Sequence, residues 1–257
     1  MDSVAYVFID QVTHALPLDS ISALTSLNHQ LWTAISKTHL AKRHDNELLL
    51  MFRTVDDSEK SQVLVRDISR GVLCFDFRTL DNFQKQDLKY QRFTKLTLTD
   101  TAFYNRLPIL NYNFSYEQAK TLLESPYATF SDLEIKSFSD KGLDVLKDLW
   151  KVPVKTLTQR ILGGSKTLDS IESWHLENNQ KLEMIYCQNL SRLKQIHAKW
   201  NASSKATNLT INGYLYGDWR WIEELGFRVE QKKGGELVFE KTHPNKNAAL
   251  AVVGFVF

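Results

Sequence analysis

Cysteine is scarce in this sequence: 257 residues hold two, Cys74 and Cys187, 113 positions apart and outside any Cys-x-x-Cys pair. Extracellular chains of this length often carry more disulfides, so both are read as reduced, buried thiols, with one long-range disulfide as the alternative. No run of 18 apolar residues occurs, so no membrane-spanning segment is expected. The apolar tail AALAVVGFVF is ten residues, too short to span, and reads as a buried terminal strand. The opening MDSVAYVFID places Asp2 and Asp10 where a secretion signal carries positive charge. A chain acting in the cytoplasm or nucleus is expected.

Excess charge is also missing. Thirty-two basic residues against 30 acidic ones leave +2. That balance gives little long-range pull toward nucleic acid or acidic membranes, and neither is expected as a partner. Short basic groupings, Lys85 with Lys89 and Lys232-Lys233, read as solvated faces.

Catalytic signatures are absent too. The chain has no GxGxxG, no GxxxxGK[ST], no HExxH and no GxSxG. Trp174-His175, flanked by Glu172 and Glu177, has no nucleophile or ligand set to go with it. His175 is read as a surface or helix-end histidine. The acidic cluster Asp56-Asp57-Ser58-Glu59-Lys60 lacks the glycine-centred calcium ladder and reads as a turn. No enzyme activity, cofactor or metal is expected.

What the chain does have is 43% hydrophobic residues, enough for a substantial core. In the first 45 residues the apolar positions Val4, Phe8, Val12, Leu16, Ile21, Leu24, Leu27, Leu31 and Ile35 recur mostly at threes and fours. This spacing, interrupted by Pro17, predicts three helices at about 4–14, 19–25 and 27–42, the second capped by Asp19 or Ser20. ELLLMFRTV and QVLVRDI read as strands, as does GVLCFDF from Gly71. Further strands are expected at 93–98, 132–135, 155–161 and 208–211, with helices at 115–123, 141–150 and, most clearly, 179–200. Leu133 to Leu157 is 24 residues, within leucine-rich repeat range, and the 52 residues from Leu157 to Leu209 leave room for one further unit. Irregular leucine-rich-like repeats and a compact alternating α/β domain both fit this string. Residues 227–230 and 237–240 around Gly234-Gly235 predict a C-terminal antiparallel hairpin. The fold class is therefore α/β or α+β, with a helical module at 1–45 and a mixed body at 46–257.

The densest aromatic cluster is Tyr214, Tyr216, Trp219 and Trp221, with Arg220 among them. Core packing is one reading, a protein-binding surface is a second, and base stacking, which the near-neutral charge argues against, is a third. Tyr214, Tyr216, Asp218 and Arg220 share strand parity, so if the segment is a strand they form one polar-aromatic face.

Leu16-Pro17-Leu18-Asp19-Ser20-Ile21-Ser22-Ala23-Leu24-Thr25-Ser26-Leu27, followed by Leu31-Trp32, resembles the middle and end of an F-box motif. The opening Val4-Ala5 stands where the family has Leu-Pro, and Leu27 to Trp32 is one residue longer than its usual spacing. In overall style the chain resembles the expanded F-box-like proteins of nematodes. The resemblance implies an adaptor that binds a small linker protein of a cullin-type ubiquitin ligase and selects a protein substrate through its body. It implies a linker interface drawn from Phe8, Leu16, Pro17, Ile21, Leu24, Leu27 and Trp32. The alternative is a non-enzymatic interaction protein whose N-terminal helices close its own core.

Overall fold

A computed structural model describes residues 2–55, 58–69, 77–84, 88–100, 116–125, 128–137, 148–161, 166–188, 190–204, 207–216, 218–231, 236–245 and 247–256. Among these residues the chain order is α1 (Asp2–Ala15), α2 (Leu18–Leu24), α3 (Gln30–Lys42), β1 (His44–Val55), β2 (Ser58–Asp67), β3 (Arg78–Thr79), α4 (Leu80–Gln84) and β4 (Gln91–Asp100). There follow α5 (Tyr116–Leu123), β5 (Ala128–Ser137), β6 (Thr156–Ile161), α6 (Lys166–Asn178), β7 (Met184–Cys187), α7 (Leu193–Ala202), β8 (Leu209–Leu215), α8 (Arg220–Glu224), β9 (Arg228–Gln231), β10 (Glu236–Thr242) and β11 (Ala249–Val256). The protein combines helices with a mixed sheet. Its backbone forms two compact units: Met1–Leu48 with Leu64–Thr94 and Ser125–Thr129, and the remainder, which includes Phe130–Phe257.

In the first unit, the three N-terminal helices fall where the apolar spacing put them. Pro17 is extended (ψ 155°) and precedes α2 without a side-chain cap. The helix therefore starts at Leu18, and Asp19 lies inside its first turn, where its charge favours the helix dipole. His29 caps α3, its ring nitrogen accepting from the Trp32 amide at 3.5 Å. Ile9, Ile21 and Ile35 are buried between the helices, and His39 of α3 meets Asp10 of α1 at 2.9 Å. This unit holds parts of β1 (to Leu48), β2 (from Leu64) and β4 (to Thr94), together with β3, and Leu64 lies opposite Thr79 in the antiparallel β2–β3 pair. Residues 58–60, expected in a turn, extend β2. The strand expected at 71–77 lies outside the described residues except Phe77.

The second unit carries the strand order β4-β5-β6-β7-β8-β11-β10-β9. β5, β6, β7, β8 and β11 pair in parallel, whereas β11–β10 and β10–β9 are antiparallel. The C-terminal hairpin thus forms as expected, but the terminal strand is not wholly antiparallel: its other edge runs parallel to β8. Leu133, Leu157, Ile185, Ile211 and Val252 share one register row across the parallel strands, and each is fully buried. Burial of such a row is the main stabilising term, at roughly 1.5–3 kcal/mol per side chain.

The helix expected over 179–200 does not form as one piece. Asn179 ends α6: its amide donates to the Val154 carbonyl at 2.7 Å, and its oxygen accepts from the Lys181 amide at 3.1 Å. Met184–Cys187 then pairs with β6 on one edge and β8 on the other, and only Leu193–Ala202 is α-helical. Two ladders of backbone hydrogen bonds outweigh the helical spacing, although Leu182, Ile185, Leu190, Leu193, Ile196 and Trp200 are all buried in the fold that forms. Of the helix expected at 141–150, residues 141–147 lie outside the described set, and Asp148–Trp150 form a turn.

Gly213 lets β7 and β8 approach closely in this unit. A Cβ on Gly213 of β8 would stand 2.9 Å from the Cys187 carbonyl oxygen and 3.0 Å from Leu190. The backbone oxygen belongs to the paired β7 and has no room to retreat. Gly213→Ala is expected to cost about 1–3 kcal/mol, and an unchanged urea midpoint would contradict this packing.

Candidate interaction surfaces

The first candidate surface lies on α1–α3 and their connecting loops. Phe8 is 60% exposed and Leu27 is 45% exposed, while Leu16, Leu24 and Trp32 are half-buried and Pro17 is exposed. Ile21 is completely buried and belongs to the packing of the helices. Tyr6 and Val7, which the spacing did not single out, join Phe8 as exposed apolar side chains. The Leu16–Pro17 junction is held from beneath. The Leu16 carbonyl accepts from two buried arginines, Arg43 (2.5 Å) and Arg92 (2.6 Å). Arg43 also pairs with Asp45 at 2.8 Å, and Arg92 with the Thr129 hydroxyl at 2.8 Å. Burial first, then the neighbouring Arg43 charge, lowers the Arg92 pKa to about 10.

The second candidate surface lies at the carboxyl ends of β7 and β8. Tyr214, Tyr216 and Trp221 line one open concavity of about 460 Å³ together with Leu190, Ser191, Lys194 and Leu215. Tyr216 is 67% exposed, and Lys194 lies 5.3 Å from the centre of the Trp221 ring. Trp219 is not part of this groove; its ring packs edge-on against Phe239 at 5.7 Å. No single strand runs through this cluster. β8 ends at Leu215, and Arg220 opens a short helix, so only Tyr214 keeps a strand position. Residues next to this groove that the sequence did not flag are Tyr186 and Phe255. The sequence marks neither: Tyr186 fits a helical spacing with its neighbours, and Phe255 sits in a continuous apolar tail.

His175 is not at a surface. It is fully buried on α6, with Nε2 3.1 Å from the Trp150 carbonyl and Nδ1 3.1 Å from the Asn179 amide. These contacts fit the neutral ring with its proton on Nε2. Desolvation lowers its pKa to about 4. Cys187 is a free buried thiol, pushed up to about 12 by burial and then by the Glu172 charge, so it stays protonated at neutral pH. Cys74 lies outside the described residues.

Among the described residues no group of three or more His, Cys, Asp or Glu could hold a metal ion, and no helix is long and apolar enough to cross a membrane. No protein-family model, no curated protein and no solved structure matches this chain.

Proposed function

We propose that this protein is an F-box-like adaptor: its three N-terminal helices dock a linker protein of a cullin-type ubiquitin ligase, and its mixed body selects a protein substrate. The observation that carries this reading is the placement of exposed apolar side chains. Tyr6, Val7, Phe8, Leu27 and Leu40 all lie in the N-terminal helical segment, where a solvated module would put polar groups. The body supports the same reading. Leu133, Leu157, Ile185 and Ile211 follow at intervals of 24, 28 and 26 residues in one register row. That spacing suits irregular leucine-rich-like repeats, an architecture that offers an extended binding face. In this role the chain does no chemistry and needs no cofactor.

The test is binding of the full chain to a recombinant F-box-binding linker protein. Wild-type protein is expected to bind saturably at micromolar concentration or tighter. Phe8→Glu combined with Leu27→Glu is expected to weaken binding at least tenfold, about 1.4 kcal/mol or more, while the circular dichroism spectrum is kept. Absence of wild-type binding at micromolar concentration would remove the adaptor reading. A second reading then stands: an interaction protein whose N-terminal helices serve its own core. Burial of Ile21 and the two-arginine grip on the Leu16 carbonyl favour it.

A further inference from the structure

Parallel sheets are usually covered on both faces. Among the described residues of the second unit one face of these strands is buried, but the other is not. Thr158 of β6, Tyr186 of β7, Thr210, Asn212 and Tyr214 of β8, and Val253 of β11 are all half-exposed, and Arg160 and Phe255 are open. The register fixes how these side chains line up. Lys136 lies opposite Arg160, and Tyr214 lies opposite Phe255 with ring centres 6.3 Å apart. Tyr186 lies opposite Asn212, one pleat earlier, and its hydroxyl hydrogen-bonds Tyr214. The row therefore begins in cations at β5 and β6 and ends in aromatic rings at β8 and β11.

The cationic end is held in place. Glu134, 5% exposed, is met by Lys95 at 2.7 Å, Lys136 at 3.2 Å and Arg160 at 2.9 Å. Arg160 meets it at Nε and is 56% exposed, so its guanidinium is open to solvent, where a second carboxylate can reach it. From β6 to β11 is three strand steps, about 14 Å, the span of roughly four residues of extended chain. We infer that this open sheet face binds an extended protein segment in which an Asp or Glu, seated on Arg160, is followed two to four residues later by an aromatic side chain seated on Tyr186, Tyr214 and Phe255. The inference names the substrate class of the proposed adaptor. It rests on reading Phe130–Phe257 as the recognition body and makes no use of the linker contact.

The probe is a display library of random twelve-residue peptides, selected on the full chain, with the consensus peptide then synthesised and titrated by fluorescence anisotropy. Enrichment of an acidic residue two to four positions before an aromatic one is expected. The titrated peptide should lose at least tenfold affinity on Arg160→Glu and on Phe255→Ala, and at least threefold on the milder Arg160→Gln. Phe255→Ala should leave the thermal midpoint near wild type, as should Arg160→Gln, which keeps Glu134 paired with Lys95 and Lys136. Arg160→Glu sets a second carboxylate beside Glu134 and should lower the midpoint, so its binding loss is read only together with that of Arg160→Gln. Three results would overturn the inference: no enriched peptide, a consensus without an acidic position, or equal binding by the wild type and both Arg160 variants. Tighter binding of a single-stranded oligonucleotide than of the peptide would overturn it as well, by assigning the face to nucleic acid. Linker binding without peptide enrichment would remove this inference and leave the adaptor reading intact. Peptide binding without linker binding would do the reverse.

Discussion

Glu172→Ala should lower the unfolding free energy by about 3–5 kcal/mol at neutral pH, a large share of the stability of an ordinary domain. Glu172 is fully buried on α6, yet it is not isolated. Arg192 engages it as a fork, Nε to one oxygen at 2.8 Å and Nη2 to the other at 2.9 Å, and Lys199 reaches it at 3.1 Å. Asp169, one turn earlier on α6, also pairs with Arg192 and meets Lys199 at 3.4 Å. Two carboxylates and two cations balance, and they join α6 to the turn Leu190–Arg192 and to α7. The hydrogen bond to Glu172, ahead of the opposing effect of burial, pushes the Arg192 pKa further up.

Removing the Glu172 carboxylate leaves Arg192 and Lys199, 16% and 24% exposed, with only the half-exposed Asp169. The large cost comes from these stranded charges and not from the net worth of the pair. Glu172→Gln keeps some hydrogen bonds and should cost less than Glu172→Ala. Glu172→Leu made together with Arg192→Leu and Lys199→Met should cost less than Glu172→Ala alone, because no buried charge is then left over. Urea unfolding of the three proteins checks the order. A loss below about 1 kcal/mol for Glu172→Ala would show the network to be solvated in solution.

This network also explains where the sequence was legible and where it was not. The N-terminal helices could be read because their buried positions are apolar and regularly spaced, as with Ile9, Ile21 and Ile35. The strands at β4, β5, β6 and β8 could be read because their core positions alternate with polar ones, and β1 and β11 because each carries a short continuous apolar run. α6 was missed for the opposite reason. Two of the positions it turns inward are Glu172 and His175, so its buried face looks polar in sequence. β7 was hidden because four residues are too few to separate a strand period from a helical one. The aromatic cluster at 214–221 was visible as composition. Its division between an open groove and a packed Trp219 depends on β8 ending at Leu215, which no local signal marks. Arg160 was invisible as a candidate, since its place beside Glu134 and in line with Tyr214 comes from strand order alone.

Stability should fall steeply as pH drops from about 6.5 toward 4, before most carboxylates titrate. Three histidines, His14, His175 and His197, have their pKa lowered to about 4, in each case first by burial. For His14 the charges of Arg92, His39 and Arg43 add to the effect, and for His197 that of Lys241 does. The folded protein keeps these rings neutral while the unfolded chain protonates them near 6.5, so the unfolded state binds more protons throughout that window. Their neutral packing is therefore fully available above 6.5 and is progressively lost as pH falls to 4. His175 alone, fully buried between the Trp150 carbonyl and Asn179, accounts for about 2–3 kcal/mol of loss by pH 4.5. The depressed carboxylates act lower on the scale. Asp169 and Asp67 are held below their usual range by hydrogen bonds from Arg192 and Ser69, and Glu134 by Lys95, against the opposing effect of burial. Their contribution is present above about pH 4 and disappears beneath it. Urea unfolding at pH 7.0, 5.5 and 4.5 should show the decline, and the His175 ring proton should titrate near 4 by NMR. Equal stability at pH 7.0 and 4.5 would mean that these rings are solvated in the folded protein.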